Sequence, residues 1–148
     1  MKSEPEVYSM DHLKRDGKTV WDCVRNFQAR NFMRDEMSVG DLVFFYHSNA
    51  DPSGIAGVMK ILRKGIADPT QFDAKGDYYE PRASQENPVW FCVEVGFVAK
   101  WDTVISLETL RKIPELKSML LLRRGQRLSV QPVKAEEWEM ILSLKKAA

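Results

Sequence analysis

The stretch VWFCVEVGFV, at residues 89–98, carries the clearest β-strand signal in this chain of 148 residues. Its odd-numbered positions are all Val or Phe, so an extended chain presents one continuous apolar face there. Its even-numbered positions are mixed and include Glu94 and Gly96. Strict alternation carried by β-branched and aromatic side chains predicts a strand.

Further strands are predicted on both sides of this stretch. The run LVFFYH at 42–47 is dense in apolar and aromatic residues and has the length of a strand. A strand at 55–62 is entered through the turn sequence Pro52-Ser53-Gly54, and a short one is predicted at 128–133.

Helices are predicted from their capping residues. Ser9 and Ser106 are suitable N-caps for helices at 10–16 and 107–112, and Gly17 is a suitable terminator of the first. Other helices are predicted at 25–37, just after Pro114, and at 135–144.

This order of elements predicts a mixed α/β fold of the α+β type. Short helices before and after the strands favour a small twisted sheet or barrel with helices packed around it, rather than a doubly wound parallel sheet. No repeat or linker divides the sequence, so a single domain over 1–148 is expected. The segment 68–88 contains three prolines and many polar residues, which predicts a long irregular loop.

The composition is that of a soluble globular protein, with 44% hydrophobic residues, 29% charged residues and a net charge of +1. No run of about 18 apolar residues is present, so no membrane association is expected. The first residues lack the apolar core of a secretory signal. Cys23 and Cys92 are too few for a disulfide framework, which favours a reducing, cytoplasmic compartment.

Charge is unevenly distributed along the chain. Between 111 and 127, one acid accompanies six basic residues: Arg111, Lys112, Lys117, Arg123, Arg124 and Arg127. Acids gather instead at Asp68, Asp73, Asp77 and Glu80. The pattern is typical of a protein with one basic face and one acidic loop, and equally of two ordinary solvated faces.

Metal and nucleotide cofactors are not expected. His12, His47 and the two cysteines lack the spacing of zinc ligands, and the acids near Asp68 lack that of a calcium loop. No glycine-rich phosphate-binding motif is present. An enzyme could use Cys23 as the nucleophile and His47 as the base, but nothing in the sequence shows that the two side chains meet. The favoured alternative is that Cys23 is a buried thiol and His47 a hydrogen-bonded imidazole.

The string WDCVRNFQARN, at 21–31, has an unusual composition for a core helix. Trp stacks on nucleobases, Asn and Gln read base edges, and the N-terminus of a helix attracts phosphate. The alternative is that Trp21 and Phe27 anchor the core while the asparagines cap or tie loops. Sequence composition alone leaves both open, with the structural alternative favoured.

An ordered series of motifs then resembles one family over nearly the whole chain. The motifs are KSEP (2–5), WDxVRNxQARN (21–31), GD (40–41), FYHSN (45–49), GIxG (54–57), YYxP (78–81), RLSVQPV (127–133) and EW (137–138). The series resembles the EVE domain family. Cys23 departs from the pattern, because the family often has Gly at that position of the WDxVRN string.

The resemblance implies a PUA-like twisted β-barrel surrounded by short α-helices. It also implies a non-catalytic module that takes a modified nucleobase, notably modified cytosine, into an aromatic and polar pocket. Lys2 and Ser3 would lie at the mouth and Trp21 would form a wall, with Tyr78 or Tyr79 as a second wall. The implied pocket residues are Lys2, Ser3, Trp21, Asn26, Gln28, Arg30, Asn31, His47, Ser48, Tyr79 and Ser129.

Phosphate contacts would come from the basic stretch, at Lys117, Arg123, Arg124 and Arg127. We therefore expect a monomer that binds DNA or RNA carrying a modified base. An enzyme that uses His47 or Cys23 on a nucleotide is one alternative. A module whose basic stretch docks another protein is the other.

Overall fold

The computed structural model describes residues 1–147 and has an α+β fold built on one five-stranded sheet. The strands lie in the order β1-β3-β4-β5-β2, and β1 is parallel to β3 whereas all other neighbours are antiparallel. Their bounds are β1 Lys2–Ser3, β2 Lys18–Val20, β3 Leu42–His47, β4 Gly54–Ala67 and β5 Phe91–Ser106.

The strand predicted at 89–98 is confirmed as the first half of β5, and the strands predicted at 42–47 and 55–62 are β3 and part of β4. Both β4 and β5 are longer than predicted because they form a continuous antiparallel ribbon whose register shifts at several bulges. A Cβ atom at Gly57 would overlap the carbonyl oxygen of Ala99, so glycine permits the close approach of these two strands.

Two expectations are corrected. The sheet is open among residues 1–147, since β1 and β2 are its two edges, so the term barrel applies only loosely. The segment 128–133 is not a strand: the Ser129 carbonyl accepts one hydrogen bond from the Lys2 backbone N–H (2.8 Å), and no ladder follows. Pro132 has no N–H with which to extend such a ladder.

Two helices begin directly after their predicted serine caps. Helix α1, Met10–Asp16, has a reciprocal capping box between Ser9 and His12 and ends at Gly17, whose φ is 79°. Helix α2, Phe27–Asn31, starts later than predicted because Asn26 is its N-cap, and it continues as a π-helical turn, Phe32–Glu36. Helix α3, Leu107–Arg111, is capped by Ser106, and α4 spans Ala135–Ala147.

The sheet carries a hydrophobic core on each face. Phe45 packs with Trp21 and Met59 on one face, whereas Phe44 packs with Trp101 and Ile141 on the other. Consecutive side chains of a strand point to opposite faces, which is why the run LVFFYH is apolar at nearly every position. No helix within residues 1–147 is long and apolar enough to cross a membrane.

The segment 68–88 is more ordered than its composition predicts. It opens with a 3-10 turn, Pro69–Phe72, and contains the fully buried Gln71. The Gln71 amide donates to the carbonyls of Asp68 and Trp90 and accepts from the N–H groups of Val89 and Trp90. One side chain thereby attaches the loop to the start of β5.

Candidate nucleic-acid-binding site

A cavity of about 580 Å³ opens beside β1, the end of β2 and the chain that leads into α2. Its volume lies within the range of about 300–1,000 Å³ that is usual for ligand sites. The lining residues are Lys2, Ser3, Val7, Tyr8, Thr19, Val20, Trp21, Asp22, Cys23, Val24, Arg25, Asn26, Tyr78 and Ser129. Five of the predicted pocket residues therefore meet here: Lys2, Ser3, Trp21, Asn26 and Ser129.

Trp21 forms a wall between this cavity and the core. Its backbone N–H donates to the Val93 carbonyl (2.8 Å), which fixes the residue just beyond the end of β2. The indole of Trp21 packs edge-to-face against the Phe45 ring, with ring centroids 5.3 Å apart. Only 8% of Trp21 is exposed. The residue is thus both a core anchor and a cavity wall, so the two interpretations of its role from sequence are compatible.

Lys2 and Ser3 line the mouth because β1 lies between β3 and the segment around Ser129. The Ser3 carbonyl accepts from the Ser48 N–H, and the Ser3 hydroxyl donates to the Tyr8 carbonyl (2.7 Å). The Lys2 ammonium lies 5.9 Å from the Tyr46 ring centroid. Burial lowers the pKa of Lys2.

The buried carboxylate of Asp68 fixes the segment between Trp21 and Asn26. It accepts hydrogen bonds from the backbone N–H of Cys23 (2.8 Å), from Thr70 and from the Arg25 guanidinium (3.0 Å). Burial alone would raise the pKa of Asp68, but the hydrogen bonds from Thr70, Arg25 and Cys23 outweigh it and hold the pKa below its ordinary value. Asp68 is therefore a structural anchor and not part of a solvated acidic loop.

The backbone conformation at Cys23 explains why the family often has glycine at this position. Its φ of 67° lies in the left-handed region, which glycine adopts without strain and other residues rarely adopt. The N–H of Cys23 reaches Asp68 in this conformation. The Cys23 side chain, where glycine would have only a hydrogen atom, lines the cavity.

Arg25 connects the cavity to an aromatic cluster. Its guanidinium donates to the Tyr78 carbonyl (2.8 Å) and lies 5.4 Å and 5.2 Å from the ring centroids of Tyr78 and Trp90. Both tyrosines are exposed, but Tyr78 lines the cavity and Tyr79 lies outside the lining. Of the two tyrosines considered for a second wall, the structure brings Tyr78 to the site.

Besides Tyr79, five predicted pocket residues lie outside this cavity. Gln28 and Asn31 line a separate groove of about 300 Å³, and Arg30 donates to the Val89 carbonyl and to Asn31. His47 Nε2 accepts from the Met10 N–H at the start of α1 (3.1 Å), and Ser48 holds β1. Asn26 lines the cavity, but its side-chain oxygen accepts from the Ala29 N–H as the cap of α2.

The basic stretch lies next to the cavity along the chain. Lys117, Arg123, Arg124 and Arg127 are all exposed. Within residues 1–147 none of these four forms an ion pair. Ser129, which lines the cavity, follows Arg127 by two positions along the chain.

Comparison with known proteins matches residues 1–144 to the EVE domain. The chain belongs to the EVE domain family. It is 42% identical to human thymocyte nuclear protein 1 and 45% identical to the zebrafish (Danio rerio) protein of that name, in each case over 97% of this chain and 72% and 70% of the relative.

Solved EVE-domain relatives have the same fold. A crystal structure of human THYN1 in complex with DNA containing 5-methylcytosine is 42% identical, has a TM-score of 0.91, and matches over 99% of this chain and 95% of that one. A crystal structure of a protein from Pseudomonas syringae is 44% identical with a TM-score of 0.92, over 98% and 97% of the two chains.

Cys23 and His47, the two groups considered for catalysis, have surroundings that oppose that role. Burial raises the pKa of the Cys23 thiol to about 11, so the thiol is protonated at neutral pH and is a poor nucleophile. The Nε2 atom of His47 accepts a hydrogen bond from the first backbone N–H of α1, and burial lowers the pKa of His47. Residues 1–147 contain no group of three side chains suited to holding a metal ion.

Sequence reasoning missed several residues of the lining, including Tyr8, Thr19, Asp22 and Arg25. Asp22 and Arg25 belong to the WDCVRNFQARN string, but the amides beside them looked better suited to reading bases. Thr19 lies on the short strand β2, which has no alternating pattern strong enough to predict.

Proposed function

We propose that this EVE domain binds DNA that contains a modified cytosine and holds the modified base in the cavity beside Trp21. The observation that carries the proposal is the human THYN1 structure with 5-methylcytosine-containing DNA, which shares 42% identity and a TM-score of 0.91 with this chain. The cavity of about 580 Å³ supports it, because an aromatic wall and polar groups at the mouth suit a planar, polar base.

The energetics require both the pocket and the basic stretch. Turning a base out of a duplex costs a few kcal/mol, and stacking on one aromatic ring returns roughly 1–3 kcal/mol. Stacking on Trp21 therefore offsets most of the flipping cost and leaves little net affinity. Phosphate contacts from the exposed basic stretch would supply the rest.

The proposal is tested by measuring the affinity of the protein for duplexes that differ only in one cytosine, methylated or not. Burial of one methyl group contributes about 0.8 kcal/mol, so the methylated duplex should bind about fourfold more tightly. Fluorescence anisotropy with labelled duplexes gives both dissociation constants. Equal affinity for the two would contradict modified-base binding, and stronger binding to the matching RNA would redirect the proposal to RNA.

The basic stretch makes a separate prediction about salt. Reversing two charges, with Arg123→Glu and Arg124→Glu, should weaken binding to methylated and unmethylated duplexes alike. It should also lower the slope of log affinity against log salt by about 1 for each phosphate that the variant no longer binds. Lys60→Glu with Lys75→Glu is the charge-matched control, since both lysines are exposed elsewhere on the fold. Equal effects of the two double variants would mean that only net charge matters.

A further inference from the structure

A protein that selects 5-methylcytosine in DNA must reject thymine. Both bases carry a methyl group at C5 and have nearly the same size, so neither stacking nor a methyl-sized space distinguishes them. They differ at position 4, where cytosine has an amino group that donates and thymine has a carbonyl that accepts. Selection therefore requires a hydrogen-bond acceptor that cannot also donate.

Most polar groups in the cavity fail this requirement. The Ser129 hydroxyl can either donate or accept, so it suits both bases. The Ser3 hydroxyl donates to the Tyr8 carbonyl (2.7 Å), but it can rotate to donate to a base instead, so it also fails to exclude thymine. The side-chain oxygen of Asn26 already accepts from the Ala29 N–H (2.9 Å). Lys2 only donates, which suits the O2 carbonyl that both bases share.

Asp22 supplies the one carboxylate among the described residues of the lining. It follows Trp21 directly, so the acceptor and the aromatic wall come from adjacent positions of the chain. Asp22 is exposed, and within residues 1–147 it forms no ion pair. The nearest guanidinium along the chain, that of Arg25, is held by Asp68 instead.

We propose that Asp22 accepts a hydrogen bond from the amino group of the bound cytosine and so determines selection against thymine. Carboxylates are established acceptors for this amino group in base recognition. Thymine would place its carbonyl oxygen against the carboxylate, where two acceptors repel. The inference rests on the proposed function, because it needs a base in this cavity.

The experiment compares two duplexes that carry 5-methylcytosine or thymine opposite an abasic position, so that neither base is paired and neither has a pairing energy to overcome. The wild-type protein should bind the 5-methylcytosine duplex about tenfold more tightly, as expected for one good base contact. In Asp22→Asn, whose amide can donate as well as accept, this ratio should fall close to one.

Two variants separate recognition from charge and folding. Asp22→Glu keeps a carboxylate and should retain most of the discrimination. Glu4→Gln removes the same charge from an exposed position outside the lining and should leave the ratio unchanged. Melting temperatures of all variants should match that of the wild type, because both positions are exposed.

The outcomes are distinguishable. If wild-type protein prefers methylated to unmethylated cytosine but Asp22→Asn keeps the full discrimination against thymine, the role of Asp22 is overturned and the proposed function stands. If the wild type does not distinguish methylated from unmethylated cytosine, both are overturned. Loss of discrimination in Asp22→Asn with retention in Asp22→Glu and Glu4→Gln supports the inference.

Discussion

Asp68→Ala is expected to destabilise the fold by about 3–5 kcal/mol, because it leaves the partly buried Arg25 guanidinium without its carboxylate. The variant also leaves the N–H groups of Cys23 and Thr70 without acceptors. Urea denaturation followed by tryptophan fluorescence would measure the loss. An exposed acid of the same loop provides the control: Asp77→Ala should change the free energy of unfolding by less than about 0.5 kcal/mol. Similar losses in both variants would contradict the assignment of Asp68 as an anchor.

The charge of Asp68 also has a pH signature. Its pKa in the folded protein lies below the value of an unfolded chain, so its carboxylate stabilises the fold above the unfolded pKa. That contribution disappears as the pH falls through the folded pKa. Asp68→Asn keeps the shape of the side chain but has no such proton to bind, so its stability should fall less than that of the wild type on acidification. Parallel curves for the two proteins would contradict this assignment.

Local sequence signals were sufficient for most of the secondary structure. Alternation in β5, the serine caps of α1 and α3, and Gly17 each act over a few residues, so their chemistry can be recognised in isolation. The failures are non-local. The segment 128–133, predicted as a strand, has apolar residues but forms only one backbone hydrogen bond to β1. A local sequence pattern does not indicate whether a neighbouring strand is available for pairing.

The candidate site was harder to predict because the same residue types serve structure and recognition. Asn26 has the amide expected for base reading, yet asparagine is also a preferred N-cap, and the start of α2 uses it so. Gln28 and Asn31 lie on the helix itself, and successive residues of a helix point in different directions. Gln28 and Asn31 therefore line a different groove, although they follow Asn26 closely in the sequence.

Asp68 shows the opposite error. Most of the charged residues that follow it in the segment 68–88 are acids, and an acidic cluster is usually a solvated loop, yet only 1% of Asp68 is exposed. Its partners Cys23 and Arg25 are more than 40 positions away, since the hydrogen bonds span separations of 45 and 43 residues. Some residues of the cavity lining, such as Lys2 and Ser129, are named by the resemblance to the family and not by composition.

Trp21→Ala is expected to have two large effects. Removing a core indole should destabilise the fold by about 3–5 kcal/mol, because Trp21 packs on Phe45 and is almost fully buried. Removing the stacking wall should also weaken binding of the flipped base by roughly 1–3 kcal/mol. Salt-sensitive binding to unmodified DNA should persist, since the basic stretch is unchanged. Unfolding curves and anisotropy titrations at a temperature where the variant is folded would measure both.

A tryptophan in the core on the other face of the sheet separates the effect on stability from the effect on binding. Trp101 is as buried as Trp21, with 7% exposed, but it packs on Phe44 on the opposite face of the sheet and does not line the cavity. Trp101→Ala should therefore cost a similar free energy of unfolding and leave the preference for 5-methylcytosine intact. Loss of that preference in both variants would indicate that stability alone governs binding. A folded Trp21→Ala protein that still prefers the methylated duplex would exclude Trp21 as the stacking wall and leave Tyr8 and Tyr78 as the aromatic residues of the lining to test.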